Sequence, residues 1–126
     1  MRKNWDVIYY STEEGHCPVE EFINKRSINN QLKFATLVDY LEKMGVNLPR
    51  PYADYLGDGI YELRIKLSGN ETRTLYFFCY EIFIVLTHSF YKTVDKIPDK
   101  EIKKALKYKD DFLRRYNKNN IKELLI

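Results

Sequence analysis

Ile60-Tyr-Glu-Leu-Arg-Ile-Lys-Leu67, Thr72-Arg-Thr-Leu-Tyr-Phe-Phe-Cys79 and Ile82-Phe-Ile-Val-Leu-Thr-His-Ser-Phe90 are three consecutive runs rich in β-branched and aromatic residues. Ser68-Gly-Asn-Glu71 has the composition of a hairpin turn, and Tyr80-Glu81 makes a tight turn before the third run, so the segment predicts an antiparallel meander. Strand side chains alternate between faces, which puts Glu62, Arg64 and Lys66 on one side and Tyr61, Leu63, Ile65 and Leu67 on the other. By the same rule Ile84, Leu86, His88, Phe90 and Lys92 share a face. A row of cations is thus built into a rigid sheet, beside aromatic rings and a lone imidazole. This chemistry suits a ligand that carries both phosphates and bases, and RNA is the obvious candidate.

Working outward, Trp5 to Tyr10 reads as a short strand closed by the polar Ser11-Thr-Glu-Glu-Gly15 turn. Pro18 at a first helical position, with Glu20 and Glu21 in the first turn, opens a helix expected to stop near Ser27 to Asn30. A second helix is expected from about Asn30 to Met44, with the apolar stripe Leu32, Ala35, Leu37, Val38, Leu41 and Met44, and Gly45 as its stop. Residues 46–59 hold Pro49, Pro51, Gly57 and Gly59 and read as a loop. After the meander, residues 92–98 form a polar connection. Asp99 is expected to cap a last helix over 100–116 whose inner side carries Ile102, Ala105, Leu106, Lys109, Phe112 and Leu113. The tail 117–126, with its apolar end Leu124-Leu125-Ile126, is expected to be mobile or to wait for a partner. The reading is an α+β fold, β-α-α-β-β-β-α, with a small mostly antiparallel sheet packed against a helical hairpin and a C-terminal helix.

A chain of 126 residues supports one domain, 1–126. With 44% hydrophobic, 31% charged and 15% aromatic residues, it is a folding composition, not a disordered one. Residues 1–59 carry 7 Lys/Arg against 9 Asp/Glu, and residues 60–126 carry 14 against 9. The positive field therefore lies on the strands and last helix, where it can draw a polyanion. Two cysteines, Cys17 and Cys79, make no disulfide framework, and no Cys/His cluster has zinc-like spacing. Neither a signal segment nor an apolar run of membrane-spanning length is present, so a reducing cytoplasm is the expected location and no membrane the expected partner.

Gly59-Ile-Tyr-Glu-Leu-Arg-Ile65, Arg73-Thr-Leu-Tyr-Phe-Phe78 and His88-Ser-Phe-Tyr-Lys92, followed by Lys96-Ile-Pro98, Glu101 and Ala105, resemble the phage-derived HigB-type branch of the RelE/ParE toxin superfamily. The pattern departs at Ser89, where the branch prefers Gly, at Thr93, where it prefers a second Lys, and at Val94, where it prefers Thr. The resemblance implies a RelE-like fold and the toxin of a type II toxin–antitoxin system, a metal-independent endoribonuclease that cleaves mRNA on the ribosome. It also implies a helix-turn-helix antitoxin as partner and no cofactor. Two other functions stay open: a ParE-like inhibitor of DNA gyrase, and an inactive RNA- or ribosome-binding module. Oligomeric state is not legible.

Metal-free RNA scission uses the 2′-hydroxyl as nucleophile on the adjacent phosphate and needs help with two proton steps and with the charge gathering on phosphorus. His88 has the pKa range for the proton steps. Arg64 and Arg73 suit the phosphate, because a guanidinium stays charged and bonds two oxygens at once. Glu62 is either a base or a holder of Arg64. Lys66, Lys92 and Lys96 are candidate backbone contacts, and Phe90 and Tyr91 candidate stacking platforms. Each residue has a plainer reading beside this one. Glu62 with Arg64, or Arg73 with Glu62, can be an ion pair across the sheet; His88 can be a structural hydrogen-bonding residue; Phe90 can be core. Lys103, Lys104 and Lys107 on the last helix are either its solvated face or phosphate contacts.

Overall fold

The computed structural model describes residues 5–125. Strand β1 (Asp6–Tyr9) is followed by helices α1 (Pro18–Ile23) and α2 (Ile28–Met44), then β2 (Ala53–Gly57), β3 (Ile60–Leu67), β4 (Asn70–Cys79), β5 (Phe83–Tyr91) and helix α3 (Asp99–Arg115). The sheet order is β1-β5-β4-β3-β2, a meander of β2 to β5 with β1 added parallel to β5. The mixed α+β architecture and the meander agree with the sequence reading.

β2 was not expected. Its sequence holds no long apolar run, and residues 46–59 read as a loop; instead Ala53 pairs with Leu63 and Tyr55 with Tyr61. The turn between them is Asp58-Gly59, both at positive φ (+54° and +79°), the backbone that a two-residue hairpin requires and that this dipeptide favours. α1 also ends earlier than expected, because Ser27 leaves the helical region to cap α2, its Oγ accepting from the Asn30 amide at 3.2 Å. At the other end Pro98 occupies the cap position of α3, and Asp99 is its first helical residue.

The sheet is covered on both faces. α1 and α2 bury Val19, Phe34, Leu37, Val38 and Leu41 against Leu63, Ile65, Leu67, Tyr76, Ile84 and Leu86. Phe34 takes the place expected of Leu32, which is exposed, since two residues along a helix point to opposite sides. α3 buries Ala105 and Phe112 on the opposite face, against Ile60, Leu75, Phe77, Phe83 and Val85. Leu113 of the expected inner stripe is exposed. Of residues 117–125, read as a tail, Ile121 packs against the same core, fully buried in a short 3₁₀ turn over Ile121–Leu125, while Leu124 and Leu125 are exposed. Ile126 lies outside the described residues. No described helix is long and apolar enough to cross a membrane.

Candidate functional site

β5 carries an irregularity that the alternation rule does not foresee. Leu75 pairs with His88 while the next residue, Tyr76, pairs with Leu86, so Thr87 is an extra residue in the strand. Ile84 and Leu86 face the helical hairpin, but beyond the bulge the phase is inverted. The expected common face of Ile84, Leu86, His88 and Phe90 is therefore split, with His88 and Phe90 on the α3 side of the sheet. This inversion brings them to the face that carries Glu62, Arg64 and Arg73.

Three rows cross that face. Glu62, Leu75 and His88 are in register; Arg64, Arg73 and Phe90 make the next row; Lys66 and Glu71 make the third, continued toward Lys92, whose amide donates to Glu71 O at 2.8 Å. Tyr91 falls on the opposite face, edge-on to Phe22 of α1 at 5.1 Å. Lys96 lies exposed in the connection to α3. Ser89 points away from the arginines, its hydroxyl 2.7 Å from that of Thr74, and Thr93 and Val94 are exposed in the connection.

Glu62, only 2% exposed, is the centre of the charge arrangement. Its Oε2 accepts from Arg64 Nε at 3.1 Å and Nη2 at 3.0 Å. Arg73, 5% exposed, brings Nε to 3.1 Å from the other oxygen, Oε1, without aiming its N–H along that line. That contact is an ion pair without an aligned hydrogen bond, so both buried atoms retain hydrogen-bonding capacity. The chain of charges continues outward: Arg64 Nη2 reaches Asp54 at 3.2 Å, which also holds Arg50 at 2.8 Å, while Arg73 Nη1 reaches Glu71 at 3.2 Å, which also holds Lys66 at 3.3 Å. Hydrogen bonding to Arg50 lowers the pKa of Asp54, and hydrogen bonding to Lys66 and then Arg73 lowers that of Glu71. Four cations alternate with three carboxylates, and the ion pairs open to both plainer readings of Glu62 are present together.

β2 pairs with β3 only as far as Leu63, and the Arg64 amide still donates to Tyr52 O at 2.8 Å, so the edge opens at Ile65 and Lys66. A cleft of about 600 Å³ forms there. Arg64, Lys66, Glu71 and Arg73 line one wall, Lys33, Leu37 and Tyr40 of α2 another, and Pro51 and Tyr52 the end.

His88 does not line this cleft. It is 4% exposed, stacked on Phe90 at 5.5 Å and edge-on to Tyr108 of α3 at 5.9 Å. Its Nδ1 lies 3.0 Å from Thr87 Oγ1 and its Nε2 3.2 Å from Glu101 Oε1. Burial pushes the imidazole down to about 4 against the pull of Glu101, so it is neutral at pH 7. Phe90 is half-buried against the α3 core. Among the described residues no three His, Cys, Asp or Glu side chains stand together as metal ligands would.

The model of the phage-derived protein Gp49-like family matches residues 21–110, from α1 into α3, and this range contains Glu62, Arg64, Arg73 and His88. The chain belongs to that family, one of toxin–antitoxin toxins related to RelE-like proteins. No curated protein matches it.

Proposed function

We propose, from that membership, that this protein is the toxin of a toxin–antitoxin pair and a metal-independent endoribonuclease that cleaves mRNA on the ribosome. The observation that supports this most is the placement of Arg64 and Arg73 at one register position on adjacent strands, both lining the cleft at the β3 edge. When the 2′-hydroxyl attacks, the pentacoordinate phosphorus gains charge, and two fixed guanidinium groups hold that charge better than they hold the ground state. Glu62 braces both from behind. An incoming phosphate takes over from Asp54 and Glu71, the outer and less buried carboxylates, without disturbing that brace.

In this reading the rate comes from charge stabilisation and from alignment of the 2′-hydroxyl on the ribosome. His88, sealed between Phe90, Tyr108 and Glu101, seats α3 on the sheet and handles no substrate proton. Lys66, Lys92 and Lys96 follow the RNA backbone, and Phe90 supports the arginine row. Tyr91, on the other face, makes no contact with the same nucleotide. The partner is an antitoxin of helix-turn-helix type that neutralises the toxin.

Expression in a bacterial host followed by primer extension tests the reading. New 5′ ends inside reading frames are expected, with cutting reduced about 10²–10³-fold in Arg64→Ala and in Arg73→Lys, which keeps the charge but loses the fork. Chelators should leave cutting unchanged. Double-strand DNA breaks with intact transcripts would instead indicate a gyrase inhibitor. Ribosome binding with uncut transcripts would leave a binding module.

A further inference from the structure

The cleft at the β3 edge is larger than a phosphate needs and differs in kind from the arginine row that borders it. Its volume, about 600 Å³, lies in the range of small-ligand sites. Its floor is apolar and aromatic: Leu37 and Tyr40 from α2, Pro51 and Tyr52 from the loop before β2, and Ile65 from β3. The Tyr40 and Tyr52 rings meet edge to face at 5.3 Å, and Tyr52 is 42% exposed. The wall is cationic, with Lys33, Arg64, Lys66 and Arg73 against the single carboxylate Glu71. Lys33 Nζ donates to Lys66 O and so joins α2 to the β3 edge. Beneath the wall, Arg73 Nε and Glu62 Oε1 are buried without an aligned hydrogen-bond partner.

We infer that this cleft is a nucleotide subsite. It takes one base of the RNA against Tyr52, Tyr40 and Ile65 while the adjoining phosphate rests on Arg64 and Arg73. This rests on the reading of those arginines as a phosphate clamp and adds the residues that choose the base. An aromatic floor joined to a cationic wall matches a flat π-face tied to a phosphate. An acidic peptide would use the wall but has less use for a narrow aromatic end. The consequence is that base preference at the cut resides in α2 and the 49–52 loop, outside the sheet that does the chemistry.

The test titrates each of the four nucleoside 3′,5′-bisphosphates, and inorganic phosphate alone, into isotope-labelled protein, into Tyr52→Ala and into Thr36→Trp. Thr36 is an exposed cleft residue on α2, so the indole fills the cleft without entering the core. Bisphosphates are expected to shift the Tyr40, Tyr52 and Ile65 resonances, with one base preferred. Binding should weaken about tenfold in Tyr52→Ala and more in Thr36→Trp, while inorganic phosphate binds all three proteins alike. Equal affinity of the three proteins for bisphosphates, or occupation of the cleft by an acidic peptide but by no bisphosphate, overturns the inference. Primer extension with the same variants separates it from the nuclease reading. Cuts unchanged in position and yield in Tyr52→Ala remove the subsite and keep the nuclease. Base-selective, Tyr52-dependent binding by a protein that cuts no transcript keeps the subsite and removes the nuclease.

Discussion

Glu62 holds two guanidinium groups on one buried carboxylate, and this fixes what its loss would do. In Glu62→Gln the shape remains but Arg64 and Arg73 face each other without the charge that separates them. Breaking a buried ion pair by removing one partner commonly costs about 3 kcal/mol or more, so a drop of that order in urea-unfolding free energy is expected, and a change below about 1 kcal/mol would refute the brace. His88 makes a second prediction. Its pKa lies near 6.5 in the unfolded chain and is held at about 4 in the fold, so between those values the unfolded state binds more protons. The contribution of the neutral imidazole is complete above pH 6.5 and is lost as pH falls toward 4, by roughly 3 kcal/mol for a shift of this size. Unfolding at a series of pH values should show that slope flattened in His88→Gln, and an imidazole signal titrating near 6.5 in the folded protein would contradict it. These residues were legible in the sequence as types in a pattern. Both partners of Glu62 were legible as alternatives, but that one buried carboxylate takes both at once was not, because the Arg73 contact depends on the register of β3 against β4.

Local signals account for most of the elements, and two of the features that were missed fail for different reasons. The Asp58-Gly59 hairpin was readable: the dipeptide is a strong turn signal, obscured by the prolines and glycines that made 46–59 look like a loop. The bulge at Thr87 was not readable, since it depends on a tertiary contact, the Thr87 hydroxyl donating to Leu75 O at 3.1 Å across the sheet. One extra residue decides whether His88 and Phe90 face α3 or the hairpin, so a small irregularity in β5 sets the composition of the candidate site. The stop of α2 was legible as Gly45, but its neighbour was not. Gly45 sits at φ +53°, and a Cβ there would lie 1.9 Å from Trp5 Nε1, a ring that also packs edge-on to Phe78 at 5.0 Å. Gly45→Ala therefore meets both backbone strain and a rigid ring, and a loss of about 3 kcal/mol is expected in thermal unfolding. Gly15→Ala, at positive φ but with open space around it, isolates the backbone part. Equal losses in the two variants would show that Trp5 does not close over Gly45.

The charge imbalance between the two halves of the sequence becomes a polarity of the fold. The acidic first half supplies the hairpin that covers one sheet face, and the basic second half supplies the arginine row and α3 on the other. Lys103, Lys104 and Lys107 are exposed on α3, whose first turns lie beside His88 through Glu101. Lys104 has a carboxylate near it, Glu101 at 3.8 Å, an exposed contact worth little to stability. If this side meets RNA, each lysine contact displaces counterions, and the binding constant must fall with salt in proportion to their number. Replacing all three by Ala should leave unfolding unchanged or slightly improved, since Ala is the better helix former. The slope of log affinity against log salt for ribosomes or single-stranded RNA should then become shallower by about 2, at roughly 0.7 per lost contact. A slope unchanged in the triple variant would show that these lysines are only the solvated face of α3, and that RNA approaches the arginine row from the β2 edge alone.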